Sequence, residues 1–195
     1  MTTFYVVRHG QSAANAAQIM QGALIDTPLT SLGKSQARKT FDKIKQQDFT
    51  HVFASPLKRA AQTAQILAPQ MTTTYDWRLR EFDYGNWNGQ KLPQLWHDYA
   101  QYFDDAHNLL PGSQKISHGE TNVAAQKRLS SFLADTWVKY PTEKVLLVSH
   151  GYAIKIILSL LLLNKDVSEL SEPNNAGITK FKWTSQTRKL IYFNK

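Results

Sequence analysis

The chain contains no cysteine, which removes disulfides, thiolate metal sites and cysteine nucleophiles from consideration. It also lacks a long apolar run. The most apolar stretch, Ala153 to Leu163, is interrupted by Lys155 and falls far short of the ~20 residues a membrane span requires. It predicts a buried core helix and no membrane partner. No basic leader followed by a long apolar segment or a small-residue cleavage site occurs near Met1 to Gly10, so the expectation is a cytoplasmic protein. Acidic residues are scarce: 15 Asp and Glu stand against 23 Lys and Arg, a formal charge of +8. The balance favours anionic partners. Without a run of five or more Lys or Arg or a recognisable binding motif, it predicts no nucleic-acid partner. A small phosphorylated molecule fits the charge equally well.

What is present is enough for one core. A length of 195 residues with 42% hydrophobic residues predicts a single domain. Phe4 to Val7, His51 to Ala54 and Val145 to Val148 are short apolar or β-branched runs, the pattern of buried parallel strands. Helical periodicity runs over Leu32 to Gln46, Arg59 to Leu67 and Thr121 to Tyr140, the last stopped by Pro141. Ser55 and Pro56 supply a cap and a first-turn proline ahead of Lys58 and Arg59. Ile178 to Trp183 and Lys189 to Phe193 predict a terminal hairpin or a pair of edge strands. Strands alternating with helices imply an α/β fold: a three-layer α/β/α sandwich, with a mostly parallel central sheet and an antiparallel edge. Residues 82–118 are irregular and aromatic, with Tyr84, Trp87, Trp96, Tyr99, Tyr102 and Phe103. They predict a small cap-like insertion over the site.

In a parallel sheet the strands end on one edge, and ligands bind in the crevice beyond it. His9 follows the first strand and His150 a later one, each beside a glycine, Gly10 or Gly151, that permits a sharp turn or close backbone approach. Either pair alone reads more readily as an ordinary strand-end turn. Arg8 adjoins His9, and Arg59 sits in the first turn of the helix after the second strand. Two guanidinium forks could therefore converge on one phosphoryl group, assisted by free amides at a helix N-terminus. A metal site is the rival use of the histidines. There is no HExxH, and the nearest close pair, His97 and His107, lies in the polar connecting region.

The order of motifs adds a further argument. VVRHGQSAAN, DTPLTSLGKSQA, FASPLKRAAQTA, LREFDYGNWNG, HGET and VSHG together resemble the motif series of the histidine phosphatase superfamily, also called phosphoglycerate mutase-like, and cover nearly the whole chain. The resemblance implies catalysis through a phosphohistidine on His9 without metal or cofactor. Arg8, Arg59 and His150 would hold the phosphoryl group. Glu81 would be the acid that protonates the departing alkoxide and later the base for water. Arg8 and Arg59 would keep His9 uncharged, whereas His150 would be protonated by the bound phosphate. A cationic pocket by itself lowers the Glu81 pKa, so the expectation is that only dianionic substrate raises it. Asn15, Ser12 and Gly22 match positions lining the phosphate pocket, with Gly151 beside them. His118 replaces a glycine often found before Gly119 and Glu120.

Within that family, mutases carry a longer and more basic segment after the acidic motif. Here residues 82–118 are short, hold Lys91 and Lys115 as their only cations besides histidine, and are locally acidic at Asp98, Asp104 and Asp105. This favours hydrolysis of small phosphomonoesters. A phosphoglycerate mutase is the alternative, and a non-catalytic phospho-ligand binding module the second. The physiological substrate and the oligomeric state are not legible.

Overall fold

The computed structural model describes residues 1–163 and 165–195. Its elements in chain order are β1 (Thr2–Arg8), α1 (Ala13–Ala16), α2 (Ser31–Ile44), β2 (His51–Ala54), α3 (Lys58–Leu67), β3 (Thr73–Tyr75), α4 (Leu92–Asp98), α5 (Gln114–Ser117), α6 (Asn122–Lys139), β4 (Lys144–Ser149), α7 (Gly151–Leu161), β5 (Ile178–Trp183) and β6 (Arg188–Tyr192). The six strands form one sheet in the order β3-β2-β4-β1-β5-β6. The first four run parallel, while β5 pairs antiparallel with β1 and β6 antiparallel with β5.

Strand β1 explains why both faces must be covered. Its alternate side chains point to opposite sides. Phe4 and Val6 join the core with Leu129 and Phe132 of α6 and Ile154 and Ile157 of α7, whereas Tyr5 and Val7 join Ala60 and Ala64 of α3 and Ile44 of α2. The result is the three-layer α/β/α arrangement, with α6 and α7 on one face and α2 and α3 on the other. Buried on every side, α7 carries the most apolar sequence of the chain. No helix among the described residues is long and apolar enough to cross a membrane.

Local chemistry adjusts several expected boundaries. Helix α3 begins at Lys58 after Leu57, with no side-chain cap; Ser55 does not cap it. The Ser55 hydroxyl instead accepts from the Leu57 amide in the preceding turn. β3 was not anticipated, because its three residues, Thr73–Tyr75, lie at an edge and are only partly buried or exposed. Residues 82–118 fold as short 3₁₀ turns with α4 and α5 around Trp87, whose ring lies 4.9 Å from Tyr99 and 5.8 Å from Phe103. Trp87 is therefore a core residue of this segment.

The parallel register positions the site. Arg8 is aligned with Ser149 across β1 and β4. The next residue of each strand, His9 and His150, must therefore emerge side by side at the carboxyl edge of the sheet.

Candidate active site

His9 is buried with its ring 5.1 Å from that of His150. Its Nδ1 lies 2.7 Å from the Gly10 carbonyl and its Nε2 3.2 Å from Arg59 Nε. A carbonyl only accepts and a guanidinium only donates. The contacts thus assign one tautomer: Nδ1–H donates to Gly10, and the Nε2 lone pair faces Arg59. Burial first, then the charges of Arg59 and Arg8, hold the His9 pKa well below the usual histidine value. The imidazole is neutral at pH 7.

Backbone contacts fix this loop. The Gly10 amide donates to Thr63 Oγ1 at 3.1 Å, and Asn175 Nδ2 donates to the His9 carbonyl at 3.0 Å. A Cβ on Gly10 would lie 2.3 Å from the Gly33 carbonyl oxygen, and one on Gly33 would lie 2.1 Å from that of Gln11. The main chain of α2 therefore rests directly on the loop that carries His9.

Arg59 reaches the same point from α3. Its terminal nitrogens donate to the Gly22 and Ile25 carbonyls at 2.8 Å each. Burial lowers its pKa to about 10, so the guanidinium stays charged near neutrality. Gly22 adopts φ +51°, the left-handed region that favours glycine. A side chain there would also strike Asn88.

Arg8 donates to the Pro173 carbonyl at 2.6 Å and lies 3.2 Å from Glu172 Oε2. Glu172 was not singled out from the sequence. It lies in an irregular connection, and only folding brings it to β1. Gly151 makes room for this pair, because a Cβ on it would lie 2.1 Å from Glu172 Oε2 and 2.9 Å from Arg8 Cζ.

Glu81 is buried against the first turn of α7. Oε1 accepts from the Phe82 amide at 2.9 Å and the Ala153 amide at 3.0 Å, while Oε2 faces the Tyr152 amide at 3.4 Å. The pKa is nevertheless raised, first by burial and then by Glu172, against the lowering by the Phe82 amide, Arg59 and Arg8. The sequence expectation assigned this rise to substrate alone; desolvation supplies it in the free protein. Behind Glu81, Arg128 donates to the Arg78, Arg80 and Glu81 carbonyls and grips both carboxylate oxygens of Glu120 at 2.7 and 2.9 Å.

His150 is fully buried, and neither ring nitrogen has a hydrogen-bond partner among the described residues. Burial and the neighbouring Arg59, His9 and Arg8 lower its pKa well below the ordinary value. In the free protein it is neutral, so the protonated form expected from the sequence needs a bound anion. Its ring packs edge-on beside that of His9, inclined by 63°, and is not on the wall of the open cavity.

That cavity measures about 360 Å³. Arg8, His9, Asn15, Gly22, Arg59 and Glu81 lie on its wall, with Glu172, Tyr152 and the 82–118 residues Tyr84, Leu92, Trp96, Phe103 and His107. Ser12 is absent from this wall. Its hydroxyl accepts from the Asn15 amide and contacts Gln21 Oε1 at 2.8 Å, capping α1. It braces the loop and leaves Asn15 to face the cavity. His118 is exposed at the left-handed residue ending α5, away from the cavity.

Comparisons with known proteins place the chain in a family. A family model of the histidine phosphatase superfamily (branch 1) matches residues 4–195. A Yersinia pestis protein named "Probable phosphoglycerate mutase" is 36% identical over 165 residues, 83% of this chain and 75% of its own length. A mycobacterial glucosyl-3-phosphoglycerate phosphatase solved with VO3 superposes with a TM-score of 0.85 at 27% identity, covering 98% of both chains. Phosphoserine phosphatase from Entamoeba histolytica, solved with 3-phosphoglyceric acid, gives 0.80 at 25% identity, over 100% of this chain and 98% of that one. With a family match across almost its full length and two histidines brought together among arginines at the sheet edge, this chain belongs to the histidine phosphatase superfamily, branch 1.

Proposed function

We propose that the protein hydrolyses small phosphomonoesters through a phosphohistidine on His9. The observation that carries this reading is the state of His9: neutral, anchored through Nδ1 to Gly10, with its Nε2 lone pair at the cavity beside Arg59. Nε2 attacks phosphorus in line and the ester P–O bond breaks. The proton of Glu81 passes to the departing alkoxide. Arg59 turns from Nε2 to the phosphoryl oxygens and Arg8 joins it; His150, beside His9 but off the open wall, is brought within reach by that turn and donates from a ring nitrogen. Water then loses a proton to Glu81 and attacks phosphorus, the P–N bond breaks, and phosphate leaves with His9 restored.

The raised pKa of Glu81 supports its acid role, since burial and the nearby Glu172 favour the protonated form. Metal independence belongs to the same proposal. No group of three or more His, Asp or Glu gathers as ligands among the described residues, and the chemistry above needs no Lewis acid. The test is hydrolysis of p-nitrophenyl phosphate in the presence of chelator, with His9→Ala as control and acid-labile labelling of the protein by ³²P-substrate. A His9→Ala protein with wild-type turnover ends the proposal.

The name of the 36%-identical relative favours a second reading, a phosphoglycerate mutase. Interconversion of 2- and 3-phosphoglycerate without net phosphate release would establish it. Against it stands the 82–118 segment, which sets no lysine or arginine on the cavity wall.

A further inference from the structure

The cavity is unequal from end to end. At the His9 end lie Arg8 and Arg59, and no other lysine or arginine is present among the described residues lining it. Lys91, next in sequence to the wall residue Leu92, gives its ammonium to the Ala17 carbonyl at 3.0 Å. The apolar part of the lining is Ile19, Met20, Leu92, Trp96, Phe103 and Leu109. Trp96 is held flat by the exposed His107 imidazole, 3.9 Å away and inclined by 18°. Asn108, also on the wall, spends its side-chain amide on Asp104. Glu172 is the other charged group on the wall, and the carboxyl of Glu81, the acid of the proposed reaction, faces the same space.

We infer that the site is built for phosphomonoesters whose alcohol is an aryl or arylalkyl group without a carboxylate. The inference rests on the phosphomonoesterase reading above and names its substrate class. An aromatic alcohol would exchange water for apolar wall on leaving solvent, a gain proportional to the area buried. A carboxylated alcohol such as glycerate or serine would bring its anion beside Glu172, with both arginines already engaged by the phosphoryl group. An unpartnered buried charge is strongly disfavoured. A volume of about 360 Å³ is at the small end for organic ligands, which restricts the alcohol to one or two rings.

The test compares esters of similar intrinsic reactivity, all with aliphatic leaving oxygens: 2-phenylethyl phosphate, 3-phosphoglycerate and O-phosphoserine. Expected is a kcat/KM for 2-phenylethyl phosphate at least about 30-fold above both carboxylated esters. Leu92→Arg, at a half-buried position on the first turn of α4, should narrow that ratio about tenfold by giving the carboxylate a partner. Equal or better turnover of 3-phosphoglycerate or phosphoserine overturns the inference and leaves the hydrolase reading standing. If no ester is cleaved, the hydrolase reading fails, and calorimetric binding of 3-phenylpropylphosphonate against 3-phosphonopropionate still decides: tighter binding of the phenyl compound supports the apolar site, and equal or weaker binding overturns it.

Discussion

Arg59 Nε lies 3.2 Å from His9 Nε2, so the guanidinium donates into the lone pair that the proposed reaction directs at phosphorus. The same contact keeps the imidazole unprotonated and occupies its reactive atom until an anion competes for the arginine. Arg59→Gln removes both effects. Its kcat/KM on p-nitrophenyl phosphate should fall about 10²- to 10³-fold. The acid limb of its pH profile should move to higher pH, because one cation that lowers the His9 pKa is gone. An unmoved limb with nearly wild-type activity would refute the pairing.

Glu81 carries a pKa raised above 4.5, so the protonated acid persists to higher pH than for an ordinary glutamate. Loss of that proton should form the alkaline limb of kcat/KM. In Glu81→Gln the limb should vanish relative to wild type, a comparison that cancels substrate ionisation. Esters with poor leaving groups should slow by more than p-nitrophenyl phosphate, since an acidic phenol departs with little help. Equal loss on both substrate types would remove Glu81 from the acid role.

Arg128 never reaches the cavity, yet it ties three carbonyls of the Glu81 segment to Glu120. Both side chains are nearly buried, at 9% and 7% exposure. Arg128→Ala leaves Glu120 with only the longer Arg80 contact at 3.6 Å and strips three carbonyls of their donor, and it should cost about 3 kcal/mol in urea unfolding. Arg128→Lys keeps the charge but loses the fork. At a temperature where it remains folded, it should imitate Glu81→Gln in penalising poor leaving groups. A uniform loss across substrates would mean that Arg128 supports only the fold.

His150 has a folded pKa far below that of the unfolded chain. As pH falls below about 6.5 the unfolded state takes up a proton that the folded state refuses, so stability drops by up to about 1.4 kcal/mol per pH unit. Glu81 acts in the opposite sense, since its raised pKa lets the folded state hold a proton that the unfolded chain releases above about 4.5. Subtracting His150→Gln from wild type isolates the histidine: the variant should lose less stability between pH 6.5 and 5 in denaturant titrations. Parallel curves would show that His150 is not buried as a neutral ring.

The site was legible in the sequence wherever function and strand ends coincide. His9 and His150 each follow an apolar run, and the parallel register of β1 and β4 makes that spacing a contact. Glu172 was missed because no periodicity or motif marks it; only the connection after α7 carries it to Arg8. The rise in the Glu81 pKa was also misassigned, because sequence reveals the neighbouring charges but not the loss of water that outweighs them. Ser12 shows a different ambiguity: a hydroxyl near a phosphate loop can face ligand or cap a helix, and here it caps α1. At the edges of the fold, β3 was invisible because three partly exposed residues give no alternation to read.

The touching main chains at Gly10 and Gly33 divide the molecule into a part that tolerates redesign and a part that does not. Side chains above the phosphoryl group can be exchanged singly to retune selectivity, as each borders open space. Beneath it, even one added methyl group would push on the loop that carries His9, so alterations there would have to come as matched pairs.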